Sequence, residues 1–302
     1  MLSVCIPIYN CKLTKLVRNL LMQFNESAVF GEIVLIDDAS EIKFRKTNEQ
    51  LSKLDNVSYI QLEKNIGRSK IRNLFLSHAS FDYLLFLDCD SLVYDAKFIE
   101  NYLNLIEKKH PVICGGRSYS SIRPPKTHYL RWKYGLAREC LPAKRRGKNP
   151  HRSFMTNNFV IHAKVLSKIQ FDERITQYGH EDTLFGYRLK QNKVPIMHIN
   201  NPVQHLFTES NVEFLEKTEL GLKNLVEIRK FVNDKGFDNE IKILRIYRKI
   251  SRFGLKYVLF FASFLAKPIL FRLLKNGNGG LFFFDLYKFL FFLKQTLIKP
   301  VN

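Results

Sequence analysis

Two aspartates one residue apart, Asp88 and Asp90, close the apolar run Tyr83-Leu84-Leu85-Phe86-Leu87. A buried strand has no structural use for two acids at its exit, because desolvating an unpartnered carboxylate costs several kcal/mol. A divalent cation holding a diphosphate would supply the partner, since hard cations draw oxygen ligands from carboxylates and phosphates together. Alone, an Asp-x-Asp pair suits a solvated turn equally well. Acidic pairs recur, however: Asp37-Asp38 follows the apolar run 32–36, and Glu181-Asp182 precedes the helical run 183–191.

The elements that would position these acids alternate in type. Residues 2–9 form a short apolar run ended by Asn10, and 12–24 follow with helical spacing. The runs 32–36, 57–62 and 83–87 read as strands, and 69–80 as a helix. Alternation of this kind predicts an α/β fold with a mostly parallel central sheet flanked by helices. Ligands in such sheets bind beyond the carboxyl ends of the strands. The polar clusters after Tyr9, at Asp37-Asp38 and at Asp88–Asp90 fall there. A less regular section runs from 112 to 207, with a strand at 112–114, then Gly115-Gly116, then the apolar run that follows Asn157-Asn158.

Composition narrows the partners. The chain has 302 residues, 46% hydrophobic, and a formal charge of +20. That charge calls for an anionic partner: a phosphorylated substrate, an anionic membrane surface or a nucleic acid. The five cysteines show no metal-ligand spacing, which points to reduced thiols in a cytosolic compartment. The first residues are strand-like and lack the basic start and long apolar core of a signal peptide, and no apolar run reaches the length of a spanning helix.

Taken in order, the motifs resemble a family 2 glycosyltransferase of the GT-A fold. They are Val4-Cys5-Ile6-Pro7-Ile8-Tyr9-Asn10, Ile36-Asp37-Asp38-Ala39-Ser40, Asn65-Ile66-Gly67-Arg68-Ser69-Lys70-Ile71-Arg72-Asn73, Leu87-Asp88-Cys89-Asp90, Phe171-Asp172-Glu173, Glu181-Asp182 and Val203-Gln204-His205. The resemblance covers about 2–205 and implies a catalytic domain over 1–210, with a nucleotide-binding half at about 1–115 and an acceptor half at about 116–210. It implies inverting, metal-dependent transfer from a nucleotide-sugar, of which a UDP-sugar is the leading candidate. Pro7 and Tyr9 would seat the base. Asp37 and Asp38 would take the uracil imide and ribose hydroxyls, and Arg68 the base carbonyl or a phosphate. Asp88, Asp90 and His205 would form the Mg²⁺ or Mn²⁺ site, with Asp88 mainly serving ribose or metal-bound water. Asp182 would be the general base, and Glu181 would hold acceptor or orient the site. Residue by residue, Asp182 also suits a helix N-cap and Asp37-Asp38 an Asx turn. The chain departs from the family's Gly-Gly-Phe-Asp-Glu, carrying Ile169-Gln170 in place of the glycines.

Two basic segments lie outside that pattern. Nine Lys and Arg between 126 and 152 face one acid, Glu139, and read as a solvated loop or as a contact for an anionic acceptor. From 241 to 302, twelve Lys and Arg accompany one acid, Asp285. There Ile241, Leu244, Tyr247, Ile250, Phe253 and Tyr257 recur at helical spacing opposite a basic face. The apolar runs 257–266, closed by Lys267-Pro268, and 281–293 are too short to span but suit the headgroup region with snorkelling lysines. The segment 211–302 therefore reads as a helical extension that associates with a membrane, packs on the catalytic domain or forms a homodimer. The expected setting is cytoplasmic, peripheral on the cytoplasmic face of the inner or plasma membrane. The acceptor would be a glycan or lipid-linked species in cell-surface polysaccharide synthesis, with no nucleic-acid partner. The alternatives are a sugar nucleotidyltransferase of related fold and a basic binding protein without catalysis. Against the first, Pro7-Ile8-Tyr9-Asn10-Cys11 offers no glycine-rich phosphate loop.

Overall fold

The computed structural model describes residues 1–27, 29–206 and 209–298. Ten strands form two sheets: β1 (Leu2–Ile8), β2 (Gly31–Asp37), β3 (Val57–Gln61), β4 (Tyr83–Leu87), β5 (Ser91–Leu92), β6 (Val112–Cys114), β7 (Arg117–Ser118), β8 (Asn158–His162), β9 (Met197–His198) and β10 (Val203–His205). The larger sheet runs β3-β2-β1-β4-β8-β6-β9. Its pairings are parallel, except that β8 lies antiparallel to both β4 and β6.

Helices cover both faces, so β1, β2 and β4 are apolar at nearly every position. Alternate residues divide between two cores. Val4, Ile6, Ile33, Leu35, Leu85 and Leu87 pack with the helices Thr14–Glu26 and Phe98–Ile106. Cys5, Val34, Ile36, Leu84 and Phe86 pack with Ile71, Phe75 and Phe185 on the other side. Phe86 stacks on Phe159 at 5.0 Å and meets Phe75 edge-on at 5.5 Å. Truncating it to alanine would cost about 3–5 kcal/mol. Pro7, which has no N–H to donate, stands where the β1–β4 ladder has already ended at Cys5–Phe86.

The second sheet, ordered β5-β10-β7, is small but decides the site. Its antiparallel pairing sets His205 opposite Ser91, and its parallel pairing sets Val203 opposite Arg117. Three short strands thereby gather Asp90, His205 and Arg117.

The chain divides into two compact units. The first holds both sheets and comprises Met1–Ser120, Glu139–Thr176 and Glu181–Phe207. The second comprises Ser121–Arg138, Gln177–His180 and Thr208–Asn302, so part of the expected acceptor half belongs with the C-terminal helices. Its core joins Leu130, Leu215, Leu270, Leu274, Phe284, Tyr287, Leu290 and Leu293. The helix Asn211–Val232 begins with a capping box, Ser210 and Glu213 each accepting the other's backbone N–H.

One expectation is corrected here. The run read as stopping at Lys267-Pro268 belongs to a single helix, Lys256–Lys275, with Pro268 inside it. Packing of Leu270 and Leu274 in the core carries the helix past a residue that breaks it locally. At 20 residues this helix is long and apolar enough to cross a membrane.

Candidate active site

The carboxyl end of β4 opens onto a chain of opposite charges. Asp88 donates its backbone N–H to the Asn157 carbonyl at 3.1 Å. Its carboxylate meets Arg117 Nη2 at 3.0 Å and Arg72 Nη2 at 3.4 Å. Arg117 continues to Glu139 at 3.4 Å, whose Oε2 also accepts from the Tyr119 hydroxyl at 2.5 Å. In the other direction, Arg72 Nη1 lies 3.7 Å from Glu181 Oε1, and the exposed Arg68 reaches the same oxygen at 3.5 Å. Arg72 and Glu181 are both buried, and the Arg72 guanidinium lies over the Phe171 ring at 5.7 Å. Burial pulls the Arg72 pKa down, against the charges of Asp88 and Glu181. On Arg117, burial is outweighed by Glu139, Tyr119 and the two aspartates, which hold its pKa above the usual value.

Asp90 and His205 form the adjoining pair, with Nδ1 3.2 Å from Oδ2. The His205 ring packs edge-on against Tyr119 at 5.4 Å. Burial pushes the Asp90 carboxyl up, but His205, Arg117 and Arg68 reverse this and hold it below the usual range. Both ring nitrogens of His205 and Oδ1 of Asp90 are buried without a hydrogen bond. Ser69, Arg72 Nε, Ser118 and Asn157 Oδ1, from the same elements, also lack partners; among the described residues only Ser251 of this kind stands apart. Buried polar atoms are rarely left unpaired, and a cluster of them calls for a polar ligand. One carboxylate and one imidazole, both with free atoms, fit a divalent cation completed by phosphate oxygens and water. Among the described residues there is no ready-made cluster of three or more His, Cys, Asp or Glu ligands. Asp88, expected beside Asp90, is held by the two arginines.

Asp182 occupies the first turn of the helix Glu181–Gln191. Its Oδ1 accepts from the Thr183 backbone N–H at 2.6 Å and from the Thr183 hydroxyl at 3.2 Å. Loss of hydration, and then the neighbouring Glu181 charge, push its pKa up to about 6, with Arg72 opposing. A carboxyl near neutrality is suited to take a proton in a reaction. The preceding motif is clipped to the arginine-bearing helix, Arg68–Leu74: Asn73 exchanges hydrogen bonds with the Phe171 backbone at 2.9 and 3.0 Å. Asp172 turns away and clamps Arg174 and Arg188.

The expected nucleotide end is more self-contained than the sequence implied. Asp37 is 0% exposed, its two oxygens accepting from Ser40 N–H at 2.7 Å and the Tyr59 hydroxyl at 2.9 Å. Asp38 accepts from the Ile66 and Gly67 N–H groups at 2.6 and 3.2 Å, tying the end of β2 to the loop before Arg68. Pro7 is half-buried and Tyr9 exposed at the end of β1. Ala39 holds a left-handed φ of 61°, a conformation uncommon without glycine and worth about 1 kcal/mol or more of strain. Cys11 donates its thiol to the Cys89 carbonyl at 3.2 Å, joining the loop after β1 to the Asp88–Asp90 turn.

Sequence reading missed Arg72, Arg117, Tyr119 and Glu139. Arg72 carried a signal, standing four residues after Arg68 in a motif already singled out; Arg117 carried none, lying between the strand 112–114 and the basic stretch 126–152. That stretch is partly internal. Arg146 is buried and donates to the Leu141, Cys114, Gly115 and Ile199 carbonyls, and within the second unit Arg131 pairs with Glu209 at 3.0 Å. Gly115-Gly116 and Asn158 serve packing: a Cβ on Gly115 would stand 2.1 Å from the Tyr102 hydroxyl, which Asn158 accepts at 2.6 Å.

A sheet of this order, with charged and unpartnered groups at the carboxyl ends of its strands, defines the GT-A class of nucleotide-sugar-binding folds. Solved structures agree. S. aureus TarS in complex with UDP superposes with a TM-score of 0.51 at 20% identity, covering 99% of this chain and 91% of that one. A longer TarS structure gives 0.54 at 18% identity, covering 98% and 55%. The family model described as glycosyl transferase family 2 matches residues 3–170, and the chain belongs to that family. A chondroitin synthase from Escherichia coli is 26% identical over 223 residues, 62% of this chain and 32% of that protein. An uncharacterized glycosyltransferase from Haemophilus influenzae is 32% identical over 117 residues, 38% of this chain and 46% of that protein. The chain spans less than half the length of these curated relatives.

Proposed function

We propose that the chain is an inverting glycosyltransferase that passes a sugar from a nucleoside-diphosphate sugar, a UDP-sugar first among candidates, to a glycan or lipid-linked acceptor in cell-surface polysaccharide synthesis. The observation that carries this reading is the unpartnered Asp90–His205 donor pair, lying in one charged network with the near-neutral carboxyl of Asp182 in a family 2 sheet. The UDP held by TarS and the polymer made by the chondroitin synthase support the donor and acceptor classes.

Asp90 and His205 would hold Mg²⁺ or Mn²⁺. When bound, that cation would offset charge on the departing nucleoside diphosphate. Arg117 and Arg72 hold the Asp88 carboxylate in place. Exposed Arg68, 3.5 Å from Glu181, would turn toward a phosphate. Asp182 takes the proton from the attacking hydroxyl, help of about 10²–10⁴-fold in rate. Glu181 beside it raises its basicity and is itself pinned by Arg72 and Arg68.

Calorimetry of UDP binding with and without Mn²⁺, followed by a screen of UDP-sugar hydrolysis, tests the reading. Metal-dependent UDP binding with release of free sugar is the expected result. Absence of UDP binding in both conditions would overturn it.

A further inference from the structure

The C-terminal unit carries a surface that sugar transfer does not require. The helix Lys256–Lys275 turns about 100° per residue, so its faces can be assigned from burial. Ser263, Leu270 and Leu274 are buried. Opposite them Val258, Phe261, Leu265 and Ile269 stand 66%, 70%, 77% and 68% exposed in one stripe. Beside the stripe, the line Phe264, Lys267, Phe271 and Lys275 opens onto a groove of about 820 Å³, which Arg272 and Lys294 also line. Lys267 is paired with Glu219 at 2.8 Å, and Lys294 lies over the Phe264 ring at 4.7 Å. Among the described residues no carboxylate pairs with Arg272, Lys275 or Lys294.

Apolar side chains this exposed on one helix face mark a docking surface. The chemistry of the occupant follows from the border: three cations without carboxylate partners adjoin the stripe, and Phe264 lines the groove beside it. We propose that this groove and stripe dock the unit on the surface of an anionic phospholipid bilayer. Arg272, Lys275 and Lys294 take lipid phosphates, while the Phe261–Leu265–Ile269 stripe lies among the acyl chains just below the headgroups. A soluble polyanion or nucleic acid would engage the cations but has no use for the stripe. A spanning helix would have to free its inward face, which is packed in the core of the unit, and carry Lys267 and Arg272 into hydrocarbon.

The test is sedimentation of the full chain with vesicles of phosphatidylcholine alone or mixed with phosphatidylglycerol. Binding to the mixed vesicles, held at high salt and released by alkaline carbonate, is expected. The combined Arg272→Ala, Lys275→Ala and Lys294→Ala variant should partition about a hundredfold less, at roughly 1 kcal/mol per basic residue near an anionic surface. The Leu265→Ser, Ile269→Ser variant, altered only at exposed positions, should bind at low salt and come off at high salt. Equal binding of wild type to both vesicle types, or no binding, overturns the proposal. So does unchanged partitioning of the triple variant, retention through carbonate, or complete displacement by inorganic polyphosphate. UDP calorimetry without vesicles runs in parallel on every variant. It reports folding and the donor site independently, so failure of docking and failure of the transferase reading are distinguished.

Discussion

Arg72→Gln is the most informative perturbation of the charged network. Arg72 is buried and stands 3.4 Å from Asp88 and 3.7 Å from Glu181. With an effective dielectric of about 20, those separations correspond to roughly 5 and 4.5 kcal/mol of gross attraction. Desolvation of the guanidinium cancels much of this, and removing one partner of a buried pair typically costs about 3–5 kcal/mol. Asp88 keeps Arg117 at 3.0 Å, which places the loss at the lower end. The second consequence is catalytic. Arg72 is among the groups that hold the Asp182 pKa down against lost hydration and the Glu181 charge, the net value being about 6. Without it, Asp182 needs a higher pH to ionise, and the Glu181 charge, no longer offset by the buried Arg72, pushes in the same direction. A general base works ionised, so the rate falls below its pKa and levels off above it. The wild-type profile of sugar transfer should therefore lose activity below about pH 6 and be flat above. In Arg72→Gln the acid limb should move to higher pH, with thermal unfolding reporting the stability loss separately. Arg72→Lys, which keeps a charge but not the two-armed guanidinium, should restore part of the limb position. An acid limb that stays in place in a folded Arg72→Gln protein would refute the coupling of Arg72 to Asp182.

Asp182→Asn should reduce transfer by about 10²–10⁴-fold while UDP affinity in the presence of Mn²⁺ is unchanged; near-normal turnover would remove it as the base. His205→Ala should weaken UDP binding in Mn²⁺ but leave metal-free binding as it was, read by calorimetry. Asp172→Asn should cost about 1–2 kcal/mol of stability at neutral pH, discounted for the exposure of Arg174. Paired first with Arg174, the Asp172 carboxyl has a folded pKa of about 2 against an ordinary 3.8, so its contribution is complete above 3.8 and disappears as the pH falls toward 2. Urea unfolding of both proteins should converge over that window; a constant difference would mean that the ion pairs are not the cause.

The sheet was legible because its strands are buried on both faces. Val4, Cys5, Ile6, Leu84, Leu85 and Phe86 must all be apolar when helices cover both sides, and continuous runs ending in acids announce strand and site together. The small sheet was not. Arg117–Ser118 and Ser91–Leu92 are two-residue strands, too short for any periodicity, and only the pairing with β10 gives them meaning. The same shortness hid Arg117, whose role depends on a strand the sequence does not advertise. Asp37 failed differently. It was expected at the nucleotide, but the Ser40 N–H and the Tyr59 hydroxyl, 22 residues away, occupy its two buried oxygens. Pro268 failed because a local breaker was weighed without Leu270 and Leu274, whose burial holds the helix together beyond it.

The charge count at the site favours the proposed cation more strongly than any one ligand does. Asp88, Asp90, Glu139, Glu181 and Asp182 are five carboxylates linked to three guanidiniums, those of Arg68, Arg72 and Arg117. With all of them ionised the network carries a net charge of −2, although the whole chain carries +20. A diphosphate brought there alone would meet repulsion from the network it must enter. Glu139 and Glu181 cannot relieve this, since each is committed to an arginine. Asp182 relieves it only by taking up a proton, which would disable it as a base. The proposed divalent cation at Asp90 and His205 would cancel the deficit while leaving Asp182 ionised. On this argument UDP binding without metal should strengthen as the pH falls through about 6, when Asp182 protonates, and with Mn²⁺ it should lose most of that dependence. A UDP affinity with the same pH slope in both conditions would show that the cation does not act by balancing this network.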